Sequence, residues 1–413
     1  MAGSSSTPTS STSRPSCAPA SSGAAGPVHG FPALDFDDYH RRVLPARCVS
    51  EAGRAAARDL RGAAPIAFLL TDGRAYRLTP AADAIAVEPV AEAPTIVELD
   101  PSAWSDFVHE LHTAAGLLYG GRVRFVRGEP ADLERWEPAL RALFSGRPIF
   151  DPHGCDFRDP AGAPLDLHRR FRLDDSAEEL RHFLGQTGYL LVGHVFAPEE
   201  IAHIAAAVDR AQARARPGDG RSWWARRADG APVLCRLVYL GLGLPEIAAL
   251  SDDPRLRRLA ALAGEPLRPT LDRSDGHSLV IKNPAVVEGL SDLPWHRDCG
   301  LGGHPITCPA VNVGVQLDAA TAETGRLLFL TGSWRGSCHR RDLERPDLPV
   351  VAVDTEPGDC TVHLGDTLHA APPPSGCGPG RRTLYVTFMP ARAFDVIPPG
   401  QSYNDVIRAR VGG

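Results

Sequence analysis

The stretch HLGDTLHAAPPPSGCGPGRRTLYVTF, residues 363–388, contains two strand-like runs on either side of a turn rich in proline and glycine. The second run begins at Arg381 and is rich in β-branched and aromatic residues, which favour strands. Similar short runs, each bounded by Gly, Pro or Asp, occur at residues 277–284, 310–318, 325–333, 349–356 and 359–366. Many short strands separated by such turns predict a β-sandwich or barrel, and we expect a jelly roll.

Two helices are predicted ahead of these strands, within residues 176–215. Ser176 and Glu179 have the spacing of a capping box at the start of the first helix. A strand bounded by glycines separates it from the second helix, in which apolar residues recur along one face. Beyond the second helix we expect a loop that carries Trp223 and Trp224.

Residues 31–150 are predicted to form a small α+β domain of their own. The run IAFLLTDGRAYRLTP has the pattern of a hairpin that turns at Asp72 and Gly73. Asp100, which precedes a proline, has the pattern of a helix N-cap. A second amphipathic helix is expected over residues 131–144. The whole chain is therefore of the α+β class, with the jelly roll in its C-terminal half.

The N-terminal segment resembles a sterol-carrier-like domain in the order of its elements. These are a hairpin, the strand and helix of TIVELDPSAWSDFV (residues 95–108), a strand that ends at Gly128, and a closing helix. The resemblance implies an apolar groove that holds a lipid or helps to seat a substrate; a structural or dimerising role is the alternative. Residues 1–30 are expected to form a disordered tail. Residues 151–170 are expected to form a linker to the jelly-roll domain at 171–413.

Composition argues against several classes of protein. The net charge of −6 provides no basic field that would attract phosphates, which argues against a nucleic-acid partner. The nine cysteines include no Cys-x-x-Cys pair, so that neither a zinc knuckle nor a redox motif is indicated. We expect a protein of the reducing cytoplasm. No apolar run is long enough to span a bilayer.

The stretch LPWHRDCG, residues 293–300, contains a spacing typical of a metal site. His296 and Asp298 are separated by one residue, and alternate residues of a strand point to the same face, so both side chains can reach one ion. His369, beside the proline-rich turn, would complete a set of two histidines and one carboxylate. Such a set binds iron(II) and leaves three positions open. His363, earlier in the same run, is the competing candidate for the third ligand.

Two arginines follow the same turn. Arg381 and Arg382 lie 12 and 13 residues after His369. A guanidinium pairs with a carboxylate through two parallel hydrogen bonds. This group suits the distal carboxylate of 2-oxoglutarate while the 2-oxo acid end of that molecule chelates a metal. The order of His-x-Asp, His and Arg therefore predicts 2-oxoglutarate as a cosubstrate.

Residues 171–395 resemble the phytanoyl-CoA dioxygenase family. The matching segments, in chain order, are GYLLVGHVFAPEEI (188–201), LVIKNP (279–284), PWHRD (294–298), NVGVQLDAATAETGRLLFLTGSWRGS (312–337) and GDTLHAAPPP (365–374) followed by arginine. The resemblance implies a double-stranded β-helix form of the jelly roll, bound iron(II), 2-oxoglutarate, and hydroxylation of an unactivated carbon.

Carried over by position, the resemblance assigns the iron ligands: His296, Asp298 and His369. It assigns the cosubstrate contacts: Arg381, Ser278 and Lys282, although Lys282 could instead have a structural role near the pocket mouth. Arg381 fits the family pattern better than Arg382. The chain departs from the family at Ala371, where many members have serine, and at Thr324 and Trp334, where asparagine and histidine are usual. The carboxylate of Asp298 argues against halogenation.

The sequence thus predicts an iron(II)- and 2-oxoglutarate-dependent dioxygenase. Its expected reaction is hydroxylation of a small-molecule metabolite by dioxygen, with release of succinate and CO2. One alternative is a catalytically inactive lipid- or metabolite-binding protein with the same fold, and another is the same ligand set loaded with zinc for hydrolysis. The pattern identifies neither the substrate nor the oligomeric state.

Overall fold

The computed structural model describes residues 31–284, 286–288, 293–299, 310–338, 347–375, 380–395 and 397. The tail predicted over residues 1–30 lies outside the described residues. Within the described ranges, no helix combines the length and the hydropathy that crossing a membrane requires.

The N-terminal unit, residues 31–150, is built on one sheet. Its strands are β1 (Ile66–Leu70), β2 (Ala75–Pro80), β3 (Ile85–Glu88), β4 (Thr95–Leu99) and β5 (Val123–Arg127). Their order is β3-β2-β1-β4-β5, in which β1 and β4 run parallel and the other neighbours antiparallel. The predicted hairpin is confirmed, because β1 pairs with β2 and Gly73 adopts a φ of 92° in the turn. Glycine tolerates that conformation without steric strain.

Helices cover this sheet and bury its apolar side chains. They are α1 (Phe36–Asp38), α2 (Leu44–Cys48), α3 (Glu51–Asp59), α4 (Pro101–Val108), α5 (Ala114–Tyr119) and α6 (Pro130–Ser145), with a π-helical turn at Tyr39–Val43 between α1 and α2. Asp100 caps α4 as predicted, since its side chain accepts a hydrogen bond from the Ala103 amide at 2.8 Å. The second predicted helix is confirmed as α6. Phe107 and Leu140 are buried here, and each such side chain stabilises the fold by roughly 1.5–3 kcal/mol.

The rest of the chain adds two sheets. Its strands are β6 (Arg170–Arg172), β7 (Tyr189–Gly193), β8 (Ser222–Arg227), β9 (Pro232–Leu237), β10 (Leu267–Pro269), β11 (Ser278–Lys282), β12 (Val286–Glu288), β13 (Leu293–His296), β14 (Val311–Gln316), β15 (Leu327–Leu330), β16 (Val350–Val353), β17 (Cys360–Leu364), β18 (His369–Ala371) and β19 (Arg381–Pro390). The large sheet has the order β12-β8-β9-β11-β19-β14-β17-β7-β6, with β10 paired to β19. The small sheet has the order β13-β18-β15-β16. These two sheets form the predicted jelly roll, and each strand-like run predicted from the sequence contains one of its strands or part of one.

Further helices flank the jelly roll. They are α7 (Ala177–Thr187), α8 (Pro198–Arg214), α9 (Pro245–Ala248), α10 (Pro254–Ala260) and α11 (Ala391–Phe394). The capping box predicted at α7 is wrong: Ser176 occupies the N-cap position but makes no side-chain capping bond. Glu179 instead accepts a hydrogen bond from Arg169. At the other end, Gly188 has a φ of 86°, and a Cβ there would lie 2.5 Å from the Thr367 hydroxyl. Glycine thus lets α7 end directly against the turn that precedes β18.

The core of the jelly roll lies between the two sheets and the helices on the large sheet. Val313, Val386 and Val362 come from neighbouring strands of the large sheet and are fully buried. Tyr189 of β7 stacks on Phe329 of the small sheet, with ring centroids 4.8 Å apart. Packing of this kind fixes the spacing of the sheets, and therefore the positions of side chains that project between them.

Two local predictions need correction. Trp223 and Trp224 lie on β8 rather than in a loop, because β8 pairs with β9 along most of its length. His363 and His369 do not share a strand. β17 ends at Leu364, the chain turns, and His369 begins β18 in the other sheet. The sequence pattern gave one continuous run because no proline separates these two strands.

Candidate metal centre

His296, Asp298 and His369 form a cluster that could hold a metal ion. One ligand atom from each residue lies within 4.8 Å of the other two. The Nε2 atom of His296 is 3.6 Å from Asp298 Oδ1, and the Nε2 atom of His369 is 3.8 Å from Asp298 Oδ2. The two imidazole centroids are 4.2 Å apart. The structure therefore brings together the three residues that the sequence selected.

Strand pairing in the small sheet explains this convergence. β13 and β18 are antiparallel, and His296 is directly opposite His369. β13 ends at His296, so that Asp298 lies just beyond the strand rather than on it. The Asp298 amide donates to the Gly365 carbonyl at 2.9 Å, which holds the carboxylate beside the histidines. A Cβ at Gly365 would lie 2.6 Å from Cys299 Sγ, so this close approach requires glycine.

Hydrogen bonds orient both imidazoles for metal binding. His296 Nδ1 lies 2.7 Å from the Pro294 carbonyl, and His369 Nδ1 lies 3.0 Å from the Thr367 carbonyl. A carbonyl oxygen only accepts, so each Nδ1 carries the proton and each Nε2 presents its lone pair. Backbone carbonyls orient the histidine ligands of metal sites in this way.

The protonation states of the cluster also suit a cation. Burial lowers the pKa of His369 to about 3, and repulsion from His296 adds to this shift. The enclosed position of Asp298 alone would raise the pKa of its carboxyl. Attraction to His369 and hydrogen bonds from His296 and His363 outweigh this effect and hold that pKa well below its usual range. At neutral pH the site thus has a neutral His369 imidazole and an ionised Asp298 carboxylate, as metal ligation requires.

His363 contacts the cluster but does not complete it. It is 1 % exposed, and its Nε2 lies 3.1 Å from Asp298 Oδ2. The same oxygen accepts a hydrogen bond of 2.5 Å from Asn312 Nδ2, and the Thr387 hydroxyl donates to Asn312 Oδ1 at 2.6 Å. These side chains project from β17, β14 and β19 of the large sheet and orient the carboxylate from behind. The sequence had identified neither Asn312 nor Thr387, because polar residues on a buried strand have no recognisable spacing.

A cavity of about 370 Å³ opens in front of the cluster. Apolar side chains of the jelly roll form much of its wall: Val280, Leu293, Trp295, Leu327, Leu368 and Met389. The N-terminal unit forms another part of the wall, through residues of α6 and the chain around the start of α5: Thr113, Ala115, Glu137, Pro138 and Arg141. This volume is within the range of small-molecule sites. The sequence did not predict that the N-terminal unit lines this cavity. The only indication in the sequence was the presence of charged residues on the apolar side of α6.

A buried ion cluster at Asp366 joins the N-terminal unit to the metal motif. Arg297, between His296 and Asp298 in sequence, places Nη1 2.9 Å from Asp366 Oδ1. Arg147 pairs with the other oxygen of Asp366, and Arg141 Nη2 lies 3.8 Å from that oxygen. Arg141 also pairs with Glu110 at 3.0 Å. The wall provided by α6 is therefore fixed to the same tripeptide that contributes two residues of the cluster.

Comparison with known proteins identifies the family. Residues 184–382 match the family model of phytanoyl-CoA dioxygenase, PhyH. This region of the chain belongs to the phytanoyl-CoA dioxygenase family. Iron and 2-oxoglutarate are the cofactor and cosubstrate of this family, and the His-Asp-His cluster fits the metal. No curated protein matches the chain.

Three solved structures illustrate what the chain is similar to. AviO1 from Streptomyces viridochromogenes Tue57 is 27 % identical, with a TM-score of 0.43 over 55 % of this chain and 98 % of that one. The non-heme alpha ketoglutarate dependent epimerase SnoN from nogalamycin biosynthesis is 25 % identical, with a TM-score of 0.41 over 52 % and 83 %. EctD from S. alaskensis, solved with 2-oxoglutarate and 5-hydroxyectoine, is 19 % identical, with a TM-score of 0.45 over 60 % and 83 %.

The resemblance to the phytanoyl-CoA dioxygenase family predicts that Arg381, rather than Arg382, binds the carboxylate of the cosubstrate. The surroundings of these two arginines differ. Arg382 pairs with Asp318 at 2.8 Å and with Asp209 at 2.6 Å. Arg381 is 1 % exposed and donates only to the neutral oxygens of Gly325 and Thr383, with no carboxylate in ion-pair distance among the described residues. Burial lowers the pKa of Arg381.

Strand alternation relates Arg381 to the cavity. Arg381 lies on β19 two residues before Thr383, and alternate residues of a strand share a face. Tyr385 and Thr387 continue this face and line the cavity. Arg381 itself is not among the residues that line the cavity, so its pairing with the distal carboxylate of 2-oxoglutarate stays a prediction.

Ser278 and Lys282 both lie on β11, but only one of them lines the cavity. Ser278 does so, opposite Tyr385 of β19. Lys282 is fully buried, and its Nζ donates to the Ala371 carbonyl at 2.5 Å. The ammonium thus holds β18, on which His369 lies, against β11. This contact supports the structural alternative for Lys282, while the cosubstrate roles of Ser278 and Lys282 stay predictions.

Proposed function

We propose that this protein is an active iron(II)- and 2-oxoglutarate-dependent hydroxylase of a small molecule. The observation that supports it most is the cluster of His296, Asp298 and His369, whose ligand atoms lie within 4.8 Å of one another. These residues would hold iron on one face and leave the cavity side open. When bound, iron and 2-oxoglutarate supply the oxidising chemistry, in which dioxygen hydroxylates a carbon of the substrate and 2-oxoglutarate becomes succinate and CO2.

The residues of the chain bind and orient in this proposal. Arg381 would pair with the distal carboxylate of 2-oxoglutarate, and Ser278 would contact the cosubstrate from the cavity wall. Asn312 and His363 would hold the Asp298 carboxylate in place. The apolar wall would exclude water from the reacting centre, so that oxidation is directed to the substrate.

The surroundings of the site also bear on its partners. The net charge of −6 and the small, partly apolar cavity favour a small-molecule substrate over nucleic acid. We expect the protein to act in the cytoplasm. The domain limits 31–150, 151–170 and 171–413, and the sterol-carrier-like character of the first domain, likewise stay predictions.

An inactive binding protein on the same fold is the second candidate, motivated by Ala371 at the position where many members have serine. Two measurements distinguish the candidates. Anaerobic protein should bind one equivalent of iron(II) and then develop a charge-transfer absorption band with 2-oxoglutarate. In air it should form succinate, and H296A and D298A should abolish this activity. The exposed His203 provides a control, since H203A should keep full activity. Full succinate formation by both H296A and D298A would reject the proposal.

A further inference from the structure

One end of the cavity is polar and is built where the N-terminal unit meets the jelly roll. Glu137 and Arg141 are four residues apart on α6, on one face of the helix, and both line the cavity. Ser337 lines the same cavity from the jelly roll. Its amide donates to the Pro148 carbonyl at 2.9 Å, and its carbonyl accepts from the Phe150 amide at 2.6 Å. Backbone hydrogen bonds therefore fix the serine to the chain that follows α6.

All three side chains have hydrogen-bonding capacity left over. Glu137 accepts from the Ala114 amide at 2.8 Å, and no cation is within ion-pair distance of it among the residues described. The hydroxyl of Ser337 is buried and makes no hydrogen bond within the described part of the chain, and the same holds for Nη2 of Arg141. Buried polar groups in folded proteins nearly always have a partner. Glu137, Arg141 and Ser337 all line the cavity, and hydrogen-bonding groups left unused at its wall can be satisfied by a molecule that binds there.

The charges at this end restrict what that molecule can be. A carboxylate or phosphate would face the acidic Glu137, and an ammonium would face the guanidinium of Arg141. Hydroxyl groups both donate and accept hydrogen bonds, and so match a carboxylate, a guanidinium and a serine at once. Burial raises the pKa of Glu137, which further disfavours a site specialised for cations.

We propose that Glu137, Arg141 and Ser337 form a subsite for a neutral, multiply hydroxylated part of the substrate. This inference rests on the proposed function, because the metal cluster in the same cavity would oxidise the molecule held there. The N-terminal unit is then part of the active site and selects the substrate. Arg141 is held rigidly for this role by its ion pair with Glu110.

The test uses three probes that share a phenyl group: phenyl β-D-glucoside (neutral and hydroxylated), phenylacetate (anionic) and 2-phenylethylamine (cationic). Binding is followed anaerobically, as the change in the charge-transfer band of the protein loaded with iron(II) and 2-oxoglutarate. The glucoside should bind at least tenfold more tightly than either charged probe. E137Q keeps an acceptor for Ala114 but turns a donor toward the cavity, and S337A removes the hydroxyl. Each variant should weaken glucoside binding about ten- to a hundredfold.

The controls separate this subsite from the metal site. Glu134 lies on the same helix but does not line the cavity, so E134Q should bind the glucoside like the unmodified protein. All variants should keep the charge-transfer band, which reports bound iron and 2-oxoglutarate, and E134Q should also keep substrate-free succinate formation. Loss of both signals in the unmodified protein would reject the proposed function. If those signals persist, the subsite is rejected by equal glucoside affinity in E137Q and S337A, by preference for a charged probe, or by no saturable response to the glucoside.

Discussion

Two carboxylates, those of Asp298 and Asp366, lie in or beside the tripeptide His296-Arg297-Asp298, and they differ in the charged groups that surround them. Asp366 has permanent cations around it: Arg297 and Arg147 pair with it, and Arg141 lies nearby. Burial lowers the pKa of Arg147 to about 10, so this arginine keeps its charge at neutral pH. Asp298 is surrounded by histidines instead, and burial keeps His369 neutral. The carboxylate of Asp366 is neutralised by arginines, whereas that of Asp298 faces the imidazoles of His296, His363 and His369.

The difference in surroundings distinguishes a structural ion cluster, at Asp366, from a candidate metal site, at Asp298. A buried carboxylate surrounded by arginines is complete without any ligand, and it stabilises the junction between the N-terminal unit and the jelly roll. A carboxylate whose oxygens lie beside two histidine Nε2 atoms presents the ligand set of a metal cation. The tripeptide His296-Arg297-Asp298 takes part in both clusters. Arg297 pairs with Asp366 in the structural cluster, and the two flanking residues belong to the metal cluster. Substitutions on the two sides should therefore change different measured quantities.

The largest effect is expected at the structural cluster. D366A would leave Arg141, Arg147 and Arg297 without their shared carboxylate. Removing one member of a buried ion pair typically destabilises a protein by about 3–5 kcal/mol, because a buried charge is left uncompensated. We expect the free energy of unfolding, measured by urea denaturation, to fall by about that amount.

An exposed ion pair provides the matched control. Asp354 pairs with Arg326 at 2.8 Å, but its side chain is 62 % exposed. D354A should therefore lower stability by about 1 kcal/mol or less. Equal unfolding free energies for D366A and D354A would show that the cluster at Asp366 is not a structural junction.

Arg381 and Arg382, which are adjacent on β19, also differ in whether acidic side chains neutralise them. Arg382 is neutralised by Asp318 and Asp209, whereas Arg381 has no such partner among the described residues. Arg381→Lys keeps the charge but loses the planar fork that pairs with a carboxylate. A charge-assisted hydrogen bond contributes about 1.5–3 kcal/mol, so we expect KM for 2-oxoglutarate to rise about ten- to a hundredfold.

The matched variant is Arg382→Lys, in which the exchanged side chain faces acidic residues away from the cavity. It should leave KM for 2-oxoglutarate within about twofold of the unmodified value, since it touches no proposed cosubstrate contact. Steady-state succinate formation at varied 2-oxoglutarate measures both variants. A larger rise for Arg382→Lys than for Arg381→Lys would reverse the assignment of the two residues.

The sequence contained enough to predict the metal cluster but not its surroundings. His296 and Asp298 are two residues apart, a spacing from which the sequence predicted a shared ion, although Asp298 lies just beyond β13 and is held by the Gly365 carbonyl. His369 could be added because a histidine beside a turn, followed by arginine, completes a recognisable order. The strands themselves were predictable from short apolar runs between Gly and Pro, although the break between His363 and His369 was not.

Contacts between distant parts of the chain could not be predicted from these patterns. Asp366 lies in the turn between β17 and β18 and Arg141 lies on α6, and only tertiary packing brings them together. Glu137 lies on the apolar side of α6, but that position alone does not indicate which part of the chain it meets. Trp223 was assigned to a loop because its strand is completed by pairing with β9, which local sequence does not encode. Periodicity indicates which face of an element is apolar, but not which element it meets.

The smallest effect is expected behind the metal cluster, at Asn312. Its amide donates to Asp298 Oδ2 at 2.5 Å while Thr387 fixes its carbonyl. N312A would leave that oxygen with the His363 hydrogen bond and allow the carboxylate to rotate. Residues that orient metal ligands typically change metal affinity by about 10–100-fold, and we expect the lower end because His363 remains. Equilibrium dialysis of anaerobic protein with iron(II) measures this affinity.

Gln316 is the matched control for N312A, because it is a buried amide on the same strand that does not contact Asp298. It donates to Gly314 and Thr361 instead. Both N312A and Q316A remove buried hydrogen bonds and should lower stability similarly, by about 1–3 kcal/mol. Only N312A should weaken iron binding. If Q316A weakened iron binding as much as N312A, the weaker binding would result from destabilisation of β14. The hydrogen bond from Asn312 to Asp298 would then not be required for iron binding.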